Sequence, residues 1–177
     1  GKSFVAKNFG YPVFNADKEV GELYKKDKKV FNKLKKVLPK FFRSFPIDKK
    51  DVTSAILENK SNLKKIITII HLEIKKKMNN FLNKNKNKKI VILDIPLLLE
   101  NRINKNKDIL VFVQSKKSEI FKRLKKRINF NIKLFSKFRN IQLSSNYKKK
   151  KSNFIIKNDF TKNSIRKEIK YILNQIS

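Results

Sequence analysis

Three short apolar runs, separated by segments of helical period, constrain the fold of this chain most strongly. The runs are Ile90–Leu93, Ile109–Val113 and Phe154–Ile156. Continuous apolar runs of this length, rich in β-branched residues, are typical of strands that are buried on both faces of a parallel sheet. Strands that alternate with helices form right-handed βαβ units. The pattern therefore predicts a single α/β domain built on a parallel sheet.

The segments around these runs have the period of amphipathic helices. An additional short strand at Pro12–Phe14 is expected to deliver Asp17 at or just past its carboxyl end. Gly10 and Pro39 are expected to stop helices, and Asp51 to cap one. The predicted helices cover Gly1 to Phe9, Lys18 to Phe42 as two helices, Asp51 to Leu57, Ser61 to Leu82, Lys117 to Arg127, Asn131 to Leu143 and Asn163 to Ile176.

The charge of the chain leaves two interpretations open. Its 46 Lys and Arg against 14 Asp and Glu give a net charge of +32, as in many nucleic-acid-binding proteins. The excess is nearly all lysine, is spread over the whole length and accompanies abundant Asn, Ile and Phe, as A/T-biased coding would produce. We favour the coding-bias interpretation and expect no specific nucleic-acid partner, although such a surface attracts phosphates and nucleotides.

Composition also excludes several classes of site. The chain has no cysteine, which rules out disulfides, thiolate nucleophiles and zinc–thiolate centres, and its single histidine argues against imidazole metal sites. Oxygen-ligated Mg²⁺ stays open. No run of eighteen apolar residues and no signal-peptide pattern occurs, so we expect a cytoplasmic protein with no membrane partner.

The first three residues, Gly1-Lys2-Ser3, match the end of the phosphate-loop motif G-x-x-x-x-G-K-[ST], whose first five positions are absent from this chain. In that motif, amides at a helix start cradle phosphate oxygens, the lysine bridges the β- and γ-phosphates of ATP, and the hydroxyl ligates Mg²⁺. Three residues alone are weak evidence. Their position supports the interpretation, because a helix and then a strand follow.

Several blocks in order along the chain resemble the dephospho-coenzyme A kinase family. The segment Ile92–Glu100, ILDIPLLLE, resembles the family's D-I-P-L-L-F-E signature and differs mainly at Leu99. Upstream, the segments 1–6 and 15–18 are similar to the family's phosphate loop and its D-A-D element. Downstream, the segment 142–158 is similar to the family's Q-L-P…K…A-D-F-V-I-x-N tail. The resemblance covers essentially the whole chain.

This resemblance implies a three-layer P-loop NTPase fold with a parallel five-stranded sheet, whose first strand is absent from this chain. It implies that residues 1–177 form one kinase domain. Residues 24–82 would form a helical acceptor-binding insertion, and residues 123–143 would form a lid.

The resemblance also implies roles for the matching residues. Lys2 would hold the ATP phosphates, and Asp17 would be the base or orienting group for the acceptor hydroxyl, although it could instead simply cap the next helix. Arg123 and Arg127 would be lid arginines that neutralise phosphate charge, or part of a solvated basic face. The resemblance further implies three groups of ligand-binding residues. The nucleotide would be bound by Gly1, Lys2, Ser3 and Asn158. The acceptor would be bound by Asp17, Lys49, Asp94 and Pro96, and Mg²⁺ by Ser3 and Asp94.

Two of these assignments have alternatives or departures. Asp94, at the end of a predicted strand, could act on Mg²⁺ through water or serve as a structural acid tied to backbone amides. Lys49 stands where the family usually has arginine, and lysine cannot form a bidentate fork on phosphate. Asn15 replaces the first acid of the D-A-D element.

The expected activity is ATP-dependent phosphorylation of the ribose 3′-hydroxyl of dephospho-coenzyme A, with ATP and Mg²⁺ as cofactors. A nucleoside or nucleoside-monophosphate kinase of the same fold is the first alternative, but such an enzyme should lack the block 94–100. A non-catalytic basic nucleic-acid-binding protein is the second alternative.

Overall fold

A computed structural model describes residues 1–126 and 130–176, and the chain divides into two compact units. The first unit contains Gly1–Val13 and Ile92–Ser177, and the second contains Phe14–Val91. The elements of the described residues, in chain order, are α1 (Lys2–Asn8), β1 (Val13–Asn15), α2 (Ala16–Lys26), α3 (Lys28–Val37), α4 (Lys49–Glu58), α5 (Lys60–Lys84), β2 (Ile92–Asp94), β3 (Val111–Gln114), α6 (Lys117–Lys125), α7 (Ile132–Asn140), α8 (Ser145–Lys151), β4 (Phe154–Lys157) and α9 (Lys162–Ile176).

The first unit has one apolar core, which α1 and α9 build against the strands. Its buried members are Val5 and Phe9 at the α1 end, Ile156 of β4, and Ile165, Ile169 and Ile172 of α9. The three α9 residues recur at intervals of three and four, so they line one face of that helix. Gly10, with a φ of 78°, ends the α1 segment in the left-handed conformation that glycine adopts without strain.

Strands β3 and β4 run parallel, with Val111 opposite Phe154 and Gln114 opposite Lys157. Their carboxyl ends therefore lie at one edge, where the Asn158 amide donates a hydrogen bond to the Gln114 carbonyl at 2.8 Å. At the start of β1, the Pro12 carbonyl accepts a hydrogen bond from the Ile92 amide at 2.9 Å. Functional groups of α/β folds collect at such carboxyl edges.

The second unit is helical, and α2, α3 and α4 each pack against the long helix α5. Its core includes Val30, Leu34 and Ala55, each with an exposed fraction of 0%, together with Phe42 at 1%. The helices begin where side chains cap them. Asp27 caps α3 by accepting a hydrogen bond from the Val30 amide at 2.9 Å, and Asn59 caps α5 by accepting one from Ser61 at 2.9 Å.

Most predicted elements are confirmed, and four details differ. Asp48, not Asp51, caps α4, and Asp51 lies in the first turn of that helix. Helix α8 was not predicted. The strands are less enclosed than expected, since all of β3 is half-buried. The α/β fold with parallel strands is confirmed, but the described strands form two two-stranded sheets, so the five-strand count is not confirmed.

In the described part of the chain, no helix is both long enough and apolar enough to cross a membrane.

Candidate active site

Gly1 lies at the carboxyl edge of the β3–β4 sheet, beside side chains that follow both strands. A Cβ placed on Gly1 would lie 3.1 Å from Asn158 Nδ2 and 3.9 Å from Ser115 Oγ. The first distance is tighter than almost all Cβ contacts in proteins, so a larger residue at this position would displace the Asn158 amide. The structure thus brings two predicted nucleotide-site residues, Gly1 and Asn158, into direct proximity.

Lys2 and Ser3 occupy the first turn of α1, directly after Gly1. The Gly1 carbonyl accepts hydrogen bonds from the Phe4 and Val5 amides, both at 3.1 Å, and this fixes the turn that carries the two side chains. Lys2 is exposed and Ser3 is half-buried, whereas Val5 faces the core with an exposed fraction of 2%. Packing of Val5 therefore anchors the turn on which Lys2 is exposed.

Asn158 follows β4 and is almost fully buried, with an exposed fraction of 4%. Its Oδ1 accepts a hydrogen bond from the Phe160 amide at 2.8 Å. Its Nδ2 is buried and has no hydrogen-bond partner among the residues that the structure describes. A buried unpaired donor is costly and therefore calls for an explanation, such as a bound ligand, ion or water that accepts its hydrogen bond. This amide is therefore suited to donate a hydrogen bond to a bound ligand.

Arg123 lies in the last turn of α6, and its guanidinium carbon is 3.8 Å from the centroid of the Phe160 ring. The ring itself is near Gly1, since its Cε1 would be 3.9 Å from a Gly1 Cβ. Phe160 therefore lies between Arg123 on one side and Gly1 and Asn158 on the other. Arg127, the second predicted lid arginine, lies outside the described residues.

Asp94 ends β2 and is buried, with an exposed fraction of 8%. Pro96 follows in a half-buried turn, in which Leu97 has a φ of 54°. Helix α1, which carries Ser3, packs beside β2, which carries Asp94. Both side chains offer oxygen atoms, the ligand type that Mg²⁺ prefers.

A Mg²⁺ ion that bridges substrate phosphates needs only one or two protein oxygens, because water and phosphate complete its octahedron. Within residues 1–126 and 130–176, no three His, Cys, Asp or Glu side chains assemble into a metal-binding group. The donor chemistry of Ser3 and Asp94 therefore fits a phosphate-bridging Mg²⁺ rather than a metal held by protein ligands alone.

Glu100 joins the segment after β2 to the segment around α8. Its Oε1 accepts hydrogen bonds from Lys148 Nζ at 2.6 Å and from the Leu143 amide at 3.0 Å. The Glu100 side chain has an exposed fraction of only 9%. Burial by itself would raise the pKa of Glu100, but the hydrogen bonds from Lys148 and from the amides of Glu100 and Leu143 outweigh it and hold the pKa below its usual value.

Glu100→Gln is expected to lower the free energy of unfolding by about 1–2 kcal/mol at neutral pH, because a half-buried charge-assisted hydrogen bond is lost. Folding lowers the pKa of this carboxyl group. Its contribution to the free energy of unfolding is therefore complete at any pH above the pKa that it has in the unfolded chain. The contribution disappears as the pH falls through the lower pKa in the folded protein. Urea unfolding of both proteins across acidic pH measures this difference.

Glu58→Gln is the matched control, because Glu58 pairs with Lys40 at an exposed position. Its effect should stay below about 0.5 kcal/mol. Equal effects of the two substitutions, or a Glu100→Gln effect that does not shrink in acid, would contradict the assignment.

In the second unit, Asp17 lies in the first turn of α2, just past the carboxyl end of β1. Asn15 caps this helix, since its Oδ1 accepts a hydrogen bond from the Lys18 amide at 2.8 Å. The alternative that Asp17 is the cap is therefore wrong. Phe14 and Ala16 on either side of the cap are buried, with exposed fractions of 3% and 5%, so Asp17 is held exposed on an anchored turn.

A groove of about 880 Å³ lies beside the same turn of α2, among the helices of the second unit. Across it, Lys77 of α5 pairs with Glu19 of α2 at 2.9 Å. Lysines outnumber acids in its lining, which consists of Lys18, Glu19, Glu22, Leu23, Lys26, Asp27, Lys28, Lys29 and Lys77. Two of the five lysines, Lys26 and Lys77, pair with Glu22 and Glu19 of the same lining, which leaves a small excess of positive charge that favours an anionic ligand. Lys49, predicted on the acceptor side, begins α4 and is exposed.

The sequence interpretation missed the residues that tie the first unit's site together, namely Phe160, Ser115 and the Glu100–Lys148 pair. A signal for the first existed, because the polar pair Asn158-Asp159 directly after an apolar strand marks a turn at a carboxyl edge. The Glu100–Lys148 pair joins residues that are 48 positions apart, and no local pattern indicates such a contact.

The family model described as dephospho-CoA kinase, CoaE, matches residues 1–164. The chain belongs to the dephospho-CoA kinase family. Similar proteins include the dephospho-CoA kinase of Wolbachia pipientis wMel, 31% identical over 100% of this chain and 93% of that protein. The dephospho-CoA kinase of Rickettsia bellii is 29% identical over 98% of this chain and 90% of that protein. Membership of this family makes the protein an enzyme, a kinase of coenzyme A biosynthesis.

Two solved structures share the α/β fold. A crystal structure from Thermus thermophilus has a TM-score of 0.76 and 17% identity, covering 99% of this chain and 90% of that chain. The dephospho-CoA kinase from Campylobacter jejuni has a TM-score of 0.61 and 22% identity, covering 98% of this chain and 88% of that chain. At these identities the likeness concerns the fold alone.

Proposed function

We propose that this protein transfers the γ-phosphoryl group of ATP to the ribose 3′-hydroxyl of dephospho-coenzyme A, forming coenzyme A and ADP. The main support for dephospho-coenzyme A as the acceptor is the match to the dephospho-CoA kinase family over residues 1–164. The geometry of the first unit supports the nucleotide side, since Gly1, Asn158 and Arg123 converge at the carboxyl edge of β3 and β4.

On the donor side, Lys2 holds the β- and γ-phosphates of ATP, and the buried, unpaired Nδ2 of Asn158 beside Gly1 donates a hydrogen bond to the nucleotide. Arg123 and Arg127 neutralise the charge of the transferred group within a lid of residues 123–143. Phosphoryl transfer depends on positioning and charge neutralisation more than on covalent help, which is what these groups supply. Ser3 and Asp94 would hold Mg²⁺, which when bound would supply further neutralisation of the phosphate charge.

On the acceptor side, Asp17 accepts the proton of the attacking hydroxyl or orients that hydroxyl. The exposed position of Asp17 on a capped turn supports this role. Residues 24–82 form the acceptor-binding insertion, with Lys49 and Pro96 on the acceptor side. The lysine-lined groove beside α2 is suited to the phosphates that dephospho-coenzyme A carries. A single carboxylate is sufficient as a base for this reaction class.

An acceptor screen tests this proposal. The full-length protein is incubated with ATP, Mg²⁺ and either dephospho-coenzyme A, a nucleoside or a nucleoside monophosphate, and the products are separated by chromatography. We expect coenzyme A from the first acceptor and little product from the others. ATP binding without coenzyme A formation would overturn the proposal, and phosphorylation of a nucleoside monophosphate would favour the other kinase class.

The charge of +32 gives the nucleic-acid-binding alternative its specific support. That alternative predicts salt-sensitive RNA affinity that survives Lys2→Ala and Asp17→Ala, together with an absence of kinase activity. RNA binding that disappears at physiological salt in an active kinase would reject it.

A further inference from the structure

Phe160 adopts a backbone conformation that is unfavourable for a residue with a bulky side chain. Its φ is 68°, in the left-handed region where non-glycine residues are uncommon. The Asn158 side chain holds this turn, since its Oδ1 accepts the Phe160 amide hydrogen at 2.8 Å. The next residue is fixed too, because Asp159 Oδ1 accepts hydrogen bonds from the amide and the hydroxyl of Thr161, both at 2.9 Å. These hydrogen bonds therefore hold the backbone that carries the Phe160 ring.

The guanidinium of Arg123 stacks on that ring. The distance of 3.8 Å from its central carbon to the ring centroid corresponds to direct face contact, in which the cation meets the negative face of the aromatic ring. Arg123 is exposed and, within the described ranges, forms no ion pair with a carboxylate. Without the ring, a long exposed arginine would sample many rotamers. Phe160 therefore restricts the positions that Arg123 can take.

A second, independent observation points to a ligand at the same place. The buried Asn158 Nδ2 has no partner among the described residues, and a Cβ on Gly1 would lie 3.1 Å from it. The Phe160 ring would lie 3.9 Å from the same Cβ. The unpaired amide donor and the ring that carries the Arg123 guanidinium thus lie beside Gly1, the first residue of this chain's part of the phosphate-loop motif. The amide nitrogen and the guanidinium both donate hydrogen bonds and neither accepts one, so the ligand they suit is rich in acceptors.

We propose that Phe160 is a positioning residue of the phosphoryl-transfer reaction. Its ring orients the Arg123 guanidinium toward the nucleotide at the end of the site marked by Gly1 and Asn158. A guanidinium that is already oriented loses less conformational entropy when it binds phosphate oxygens. This inference rests on the proposed function, because the ligand it invokes is the nucleotide of that reaction.

The kinetic test is a double-mutant cycle in the full-length protein. Phe160→Leu keeps apolar volume but removes the π face, and we expect kcat/KM for ATP to fall roughly 2- to 5-fold, the range of one exposed cation–π contact. Phe160→Tyr retains the face and should stay within about twofold of the original protein. In the Arg123→Ala background, Phe160→Leu should have no further effect, because Phe160 acts through Arg123. Tyr171→Leu, at an exposed aromatic on α9, is the matched control and should leave kcat/KM unchanged.

A second readout does not depend on activity. The ring current of Phe160 should shift the Arg123 Nε–H resonance upfield in NMR spectra. Arg123→Lys identifies that resonance by removing it, and Phe160→Leu should return it to the position of a solvated arginine. Phe160→Gly and Phe160→Ala should both abolish the shift, but the glycine variant should melt at the higher temperature, since glycine adopts a positive φ without strain.

Three outcomes would overturn the inference. They are additive effects of Phe160→Leu and Arg123→Ala, an unshifted Arg123 resonance in the original protein, and recovery of kcat/KM in Phe160→Gly, which would show that the strained turn matters and the ring does not. Failure of the proposed function is distinguishable from these, because it would appear as an absence of coenzyme A formation in the original protein while the Arg123 resonance remained shifted.

Discussion

Lys2→Ala in the full-length protein is expected to lower kcat/KM for ATP by about 10²- to 10³-fold, the usual effect of removing one preorganised charged donor from a transition state. Lys2 is exposed in the first turn of α1, directly after Gly1, which lies beside Asn158 and Ser115. Its ammonium group is the compact charge that the phosphate-loop motif uses on the β- and γ-phosphates. Steady-state formation of coenzyme A at varied ATP measures the change.

Lys7→Ala is the matched control for Lys2→Ala. Lys7 lies in the last turn of the same helix and is also exposed, so the substitution removes the same charge from the same element. In a chain of net charge +32, a general loss of attraction for ATP would affect both variants alike. If Lys7→Ala lowers kcat/KM as much as Lys2→Ala, the specific role of Lys2 is refuted.

The parts of the fold that could be predicted are those whose signal is local. The run that ends at Asp94 predicted β2, and Gly10 predicted the end of the first helix, which its φ of 78° confirms. The apolar face of α9 at Ile165, Ile169 and Ile172 became part of the first unit's core. In each case a single segment carries its own period or its own stop residue.

Helix α8 shows what local patterns miss. Its sequence, SNYKKKK, carries no apolar period that predicts a helix. Ser144 caps the helix, since its hydroxyl accepts a hydrogen bond from the Tyr147 amide at 3.1 Å. Lys148 is then fixed by the distant Glu100. Tertiary contacts stabilise this helix more than the helix propensity of its residues does. Its sequence alone therefore indicates only a charged, low-complexity segment.

The same limit applies to the candidate site. Gly1 and Asn158 could be proposed from separate motifs, but their proximity depends on how α1 packs against the parallel pair β3 and β4. The stack of Arg123 on Phe160 joins a lysine-rich helix to a turn, and neither segment alone indicates the other. Sequence therefore indicated which residue types serve the chemistry, while the contacts that orient them required the fold.

Asp17→Asn is expected to lower kcat about 10³-fold while nucleotide affinity changes little, within the range of 10²- to 10⁴-fold for loss of a general base. Asparagine keeps the size of the side chain but cannot accept the proton of the acceptor hydroxyl. The turn itself should be unaffected, because Asn15 caps α2 and the buried Phe14 and Ala16 anchor it. Burst-phase kinetics with dephospho-coenzyme A, together with calorimetric titration of ATP, separate the chemical step from binding.

Asp51→Asn provides the control for this substitution, since Asp51 occupies the first turn of α4, as Asp17 occupies the first turn of α2. Both changes remove one carboxylate near the start of a helix, which costs at most about 1 kcal/mol of stability. Equal thermal stability with unequal kcat assigns the carboxylate of Asp17 to the reaction. If kcat of Asp17→Asn stays within tenfold of the original value, Asp17 is not a general base. Phosphoryl transfer would then depend on positioning of the substrates alone.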